Sequence, residues 1–148
     1  MYERVIIPTD GSDVSFQGVE EGLKAAKAYG IPALALYVIP PSSISGHRLE
    51  EYGMELIDQF REHQKNRGKK ILAKVKKEAH ELGVELKTEI REGPPYEEIS
   101  SVANPGDIVY ICSHGRSGIK SIFLGSTTTR VLKRTEATVA VVRADEDK

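Results

Sequence analysis

Residues 112–130 hold most of what could do chemistry in this chain: Cys-Ser-His-Gly-Arg-Ser-Gly-Ile-Lys-Ser-Ile-Phe-Leu-Gly-Ser-Thr-Thr-Thr-Arg. Glycines let backbone N–H groups come close to a phosphate. The step Gly125-Ser126-Thr127 would set free amides and hydroxyls at the positive end of the last helix. The same residues also read as a tight turn at Gly115 and Gly118 followed by a helix capped by Ser126. The P-loop pattern and the G-x-G-x-x-G fingerprint are both absent. No Walker lysine, carboxylate pair or nucleophile triad is evident, so the stretch points to binding without a catalytic residue.

Asp10 follows a strand-like run, where its oxygens could accept hydrogen bonds from a ligand. It could equally close an Asx turn. His114 has no zinc-like spacing with His47, His63 or His80, so no metal site is read and His114 is taken to shape its loop. Arg116, Lys120 and Arg130 could each reach a phosphate, and Arg116 is kept as the candidate contact. Cys112, the single cysteine, excludes an internal disulfide and a cysteine zinc site. It reads as a small buried residue at a strand end.

Arg4 to Pro8 is a short β-branched run of the kind buried in a parallel sheet. After Asp10-Gly11-Ser12, Phe16, Val19, Leu23 and Ala26 recur at helical spacing, with Ser12 as cap and Gly30 as stop. Ala33 to Ile39 is the second strand and ends at Pro40-Pro41. A polar connection over Pro40 to Gly53 is expected to lie beside the site, either as a closing segment or as an ordinary loop. A long amphipathic helix is expected over Leu56 to Leu82, with Gly68 in its middle. Then follow strand Val84 to Arg91, helix Tyr96 to Val102, strand Asp107 to Ser113, helix Leu124 to Arg134 and strand Thr138 to Val142.

Strands alternating with helices imply right-handed crossovers. The expectation is one domain over 1–148: a doubly wound, Rossmann-like α/β fold whose five-stranded, mostly parallel sheet has the order 3-2-1-4-5. Its ligand site should lie beyond the carboxyl ends of the strands, at the loops after strands one and four.

The chain resembles the universal stress protein family. The carriers are V-I-I-P-T-D-G-S near the start, E-G-P-P-Y-E-E-I at Glu92 to Ile99, Gly115 with nine residues before Gly125-Ser126, and T-V-A-V-V-R at Thr138 to Arg143. Cys112 stands where the family pattern has its first glycine, and a side chain there is expected to narrow the approach to phosphate or ribose. The resemblance to the ATP-binding branch implies a cradle for the phosphates, with Asp10 and Val38 on the adenosine. The implied nucleotide-binding set is Pro8, Thr9, Asp10, Val38, Ile111, Cys112, Gly115, Arg116, Gly125, Ser126 and Thr127. The implied ligand is ATP, with Mg²⁺ as a further candidate that Asp10 and Ser126 could help to hold. The resemblance also implies a homodimer through the last strand.

At 148 residues and 39% hydrophobic content, the chain fits one compact domain. No secretory signal is read at the start, and a cytoplasmic location is expected. The 21 basic and 22 acidic residues read as spread along the chain, so neither nucleic acid nor a membrane is expected as partner. The expected function is a nucleotide-dependent stress-response regulator without turnover. A nucleotide-free regulatory dimer and a slow ATP hydrolase are the alternatives.

Overall fold

A computed structural model describes residues 1–41, 46–113 and 125–144, the side chains of 46–52 excepted. Five strands alternate with four helices. They are β1 (Arg4–Thr9), α1 (Asp13–Tyr29), β2 (Ala33–Ile39), α2 (Gly46–Leu82), β3 (Leu86–Glu92), α3 (Pro95–Val102), β4 (Asp107–Ser113), α4 (Ser126–Arg134) and β5 (Thr138–Arg143). The sheet order is β3-β2-β1-β4-β5, and every adjacent pair is parallel. The Rossmann-like expectation holds, order included.

Parity along β1 splits the core into two layers. Val5 and Ile7 face the side of α1 and α2, meeting Leu23, Leu72 and Val75. Ile6 faces the other side, meeting Val109, Ile99 and Val131. A central strand buried on both faces needs apolar residues at successive positions, which is what R-V-I-I-P-T supplies.

Helix α1 starts where expected. Ser12 adopts an extended backbone and its side chain accepts from Ser15 N, while Gly30 closes the helix at φ 70°. Helix α2 departs from expectation by beginning at Gly46, so part of the presumed connection is helical. The break lies within it at Gly53, whose φ is 72° and ψ 163°. Gly68 is tolerated inside α2 because the helix lies directly on β2: an added Cβ would sit 2.6 Å from Tyr37 Cδ1. Strand β3 begins two residues later than its pattern suggests, because Val84 N still donates to Ala79 O in closing α2.

At the amino ends of the strands, Arg4 Nη2 lies 2.7 Å from Asp107 Oδ2, and Asn104 N donates to the same oxygen. This pair ties β1 to β4 at the edge away from their carboxyl ends. The two strands then diverge toward the point where the strand order reverses.

Candidate functional site

A cleft of about 790 Å³ opens at that point. Its size suits a small ligand. The apolar floor comes from Leu36 and Val38 of β2, Ile111 of β4, and Pro95 and Ile99 of α3, on the core layer shared with α4. Its polar rim comes from the β1–α1 turn and the start of α4.

Hydroxyl hydrogen bonds lock the β1–α1 turn. Ser15 Oγ donates to Ser12 O at 3.1 Å, which leaves the Thr9 hydroxyl to donate to Ser15 Oγ at 2.9 Å. Thr9 Oγ1 in turn accepts from Gly11 N at 3.2 Å. Asp10 Oδ1 accepts from Ser12 N at 2.8 Å, forming the Asx turn, while the residue also lines the cleft. Gly11 has φ 85°, and an added Cβ would collide with Ile71 Cδ1 of α2. The turn is therefore held from one side by its own hydroxyls and from the other by α2.

Across the cleft, Gly125, Ser126, Thr127 and Thr128 carry the start of α4. Among the described residues no side chain caps this helix, whereas Ser12 caps α1. The first amides of α4 have no intrahelical acceptor, and the helix dipole favours negative charge at that end. A Cβ added at Gly125 would meet nothing within 4 Å among the described residues. Helix α4 is clamped to α3 by Arg130 and Arg134, whose guanidinium carbons lie 4.9 and 5.3 Å from the Tyr96 ring centroid. Arg130, a candidate phosphate contact by sequence, is thus stacked on Tyr96.

Nine of the eleven residues expected at the site line this cleft: Pro8, Thr9, Asp10, Val38, Ile111, Cys112, Gly125, Ser126 and Thr127. Gly115 and Arg116 lie outside the described residues, as do His114 and Lys120. Ser15, Leu36, Pro95, Ile99 and Thr128 also line it and were not read from the sequence. Leu36 had a signal, lying two positions before Val38 and hence on the same strand face. Among the described residues, no group of three histidine, cysteine or carboxylate side chains could hold a metal.

Cys112 lines the cleft, but strand parity sets its side chain off the apolar floor. Ile111 belongs to the floor layer, so the next residue along β4 points to the opposite face, toward α1. Cys112 Cβ would be 3.1 Å from a Cβ added at Gly18. Burial pushes the thiol's pKa up, a backbone hydrogen bond with Gly18 opposes this, and the Asp10 charge adds to the rise.

The universal stress protein family model matches residues 1–143. The chain belongs to the universal stress protein family. It is 37% identical to universal stress protein MJ0531 of Methanocaldococcus jannaschii over 97% of this chain and 83% of that one. Universal stress protein MJ0577 of the same organism is 31% identical in sequence over 97% of this chain and 96% of the other. Its solved structure superimposes with a TM-score of 0.73 over 99% of both chains, at 32% identity. A universal stress protein from Archaeoglobus fulgidus, solved in complex with dAMP, shares the fold at 16% identity. Its TM-score is 0.62, covering 95% of this chain and 97% of that one.

Proposed function

We propose that this universal stress protein binds an adenine nucleotide, ATP in particular, at the switch-point cleft, and acts as a nucleotide-dependent regulator without turnover. The observation that carries the reading is the pairing, at opposite parts of one cleft, of an apolar floor with a helix start that no described side chain caps. A flat purine gains by leaving water against Leu36, Val38, Ile99 and Ile111. Phosphates gain from the amides at Gly125, Ser126 and Thr127. Asp10, which lines the cleft, would accept from a ribose hydroxyl or the adenine amino group. Gly115 and Arg116, outside the described residues, complete the proposed set. The A. fulgidus relative solved with dAMP supports an adenine ligand.

The donors present suit Mg²⁺ only as a passenger of the nucleotide, with Asp10 and Ser126 beside it, since no three-ligand cluster occurs among the described residues. A bound ion would shield phosphate charge. The chain's own contribution is to fix the nucleotide between the Asp10 turn and α4.

Strand β5 lies at the sheet edge and is half-exposed along Val139 to Val142. An apolar edge invites pairing, so we take the working form to be a two-fold homodimer through β5. A buried, unpaired thiol suits a reducing compartment, the cytoplasm in this reading. No helix among the described residues is long and apolar enough to cross a membrane.

Calorimetric titration of ATP into the purified chain tests the binding reading. One saturable site per chain is expected, and the absence of binding would leave the nucleotide-free regulatory alternative. Phosphate release above a no-protein control would replace the regulator by the slow hydrolase. Light scattering should give twice the 16.3 kDa chain mass; the single mass would remove the dimer.

A further inference from the structure

Whole-chain counting hides a strong separation of charge. Residues 63–77 carry seven cations (Lys65, Arg67, Lys69, Lys70, Lys74, Lys76 and Lys77) and no carboxylate. The other 133 residues carry fourteen cations against twenty-two carboxylates. The even spread expected from composition does not hold along α2. All seven side chains are exposed, and among the described residues none of them forms an ion pair.

The helix sorts these charges. Ile57, Leu72, Val75 and Ala79 are buried against the sheet. Beside that face, steps of four and three residues align Leu56, Phe60, His63, Arg67, Lys70, Lys74 and Lys77 in one row. From Arg67 to Lys77 the row runs about 15 Å. Lys74 Nζ sits 4.3 Å over the Phe16 ring of α1, which holds that part of the row beside α1. At its amino end the row turns apolar: Leu56 is 46% and Phe60 39% exposed.

We propose that this row of α2 docks the protein on an acidic phospholipid surface, reversibly and without crossing it. Lysine and arginine collect near anionic headgroups, and exposed leucine and phenylalanine gain by entering the acyl boundary. A phosphodiester backbone would reward the cations but not the aliphatic Leu56, which favours lipid over nucleic acid. The acidic excess on the rest of the chain is repelled by the same surface, so the row sets a single docked orientation. Nothing in this proposal depends on nucleotide occupancy of the cleft.

Co-sedimentation of the full chain with unilamellar vesicles tests it. Vesicles of equimolar phosphatidylcholine and phosphatidylglycerol should carry the protein down at low salt and release it at high salt, while pure phosphatidylcholine should not bind it. The triple variant Lys70→Gln, Lys74→Gln, Lys77→Gln should bind the anionic vesicles at least about tenfold more weakly. Phe60→Ser should weaken binding severalfold while keeping the salt dependence. Unchanged circular dichroism and melting temperature of these surface variants would show that folding is intact. Absence of sedimentation with anionic vesicles overturns the proposal, and so does equal binding to both compositions. Binding to polyuridylate but not to vesicles, indifferent to Phe60→Ser, would assign the row to nucleic acid instead. Salt-sensitive self-association without vesicle binding would assign it to a second copy of the chain.

Discussion

Cys112 and Gly18 share one small space between β4 and α1: a Cβ at Gly18 would lie 3.1 Å from Cys112 Cβ and 3.4 Å from Cys112 N. The glycine admits the thiol where the family pattern has a glycine on the strand. Gly18→Ala should therefore overpack the junction, costing about 1–3 kcal/mol, against a helix-propensity gain of about 1 kcal/mol. Adding Cys112→Gly removes the nearest clash. Urea denaturation of both single variants and the double variant should show a favourable coupling of about 1 kcal/mol or more. Simple additivity would mean that the two residues do not compete for this space.

Because the thiol faces α1 rather than the floor of the cleft, Cys112→Gly should lower stability without tightening ATP binding. Calorimetry should give affinities for the two forms within about threefold, a difference smaller than one lost hydrogen bond produces. A clear gain in affinity would restore the obstruction that the sequence suggests.

Burial raises the thiol's pKa in the folded chain above its ordinary value of 9.0. As pH rises past that value the unfolded chain loses the proton first, so the folded state binds more protons and stability falls. The stabilisation is fully present below the ordinary value and is lost as pH climbs through the folded one. Tyr110 is raised chiefly by burial and should extend the decline above its ordinary value of 10.0. Urea midpoints measured across this range should fall less steeply at the start in Cys112→Ala than in the unmodified chain.

Gly125 has φ −57° and ψ 155°, a backbone that any residue adopts, and its missing side chain faces open space among the described residues. Gly125→Val should fold with stability changed by under about 0.5 kcal/mol. It should nevertheless lose ATP affinity by about tenfold or more, since the branched side chain takes the volume beside the α4 amides. Unchanged affinity in the folded variant would remove the helix start from the proposed site.

Gly11 presents the opposite case. Its φ of 85° disfavours any side chain, and an added Cβ would collide with Ile71 of α2. Gly11→Ala should cost about 2 kcal/mol or more and shift the Asp10 turn, weakening nucleotide binding as well. Truncating Ile71 to alanine in the same chain should recover part of the affinity but not the backbone strain. An affinity unaffected by Gly11→Ala would show that the turn does not hold the ligand.

Local pattern made much of this protein legible. The residues from Arg4 to Thr9 carry the continuous apolar run of a central strand, Ser12 and Gly30 mark both ends of α1, and the alternation of strands and helices implies the parallel sheet. Given that sheet, the edge bearing the site follows, because parallel strands bring all their carboxyl ends together. Asp10 and Gly125 could therefore be read from a strand end and from glycine spacing, whereas Val38 and Ile111 rested on the family resemblance.

What only the tertiary structure decided concerns neighbours that no periodicity encodes. Gly68 stands inside a helix because Tyr37 passes beneath it, and Gly11 cannot carry a side chain because Ile71 comes from a helix sixty residues further along the chain. Ile99 and Thr128 reach the cleft from α3 and α4, two helices that meet through Tyr96, Arg130 and Arg134. The turn-forming stretch after β2 hid the start of α2, since local propensity cannot show what a segment will pack against. Strand parity distinguishes the faces occupied by Ile111 and Cys112, but it does not name the element across from each. Helical and strand periods act over a few residues through backbone geometry, whereas contact between distant elements depends on how the complete sheet and its helices pack.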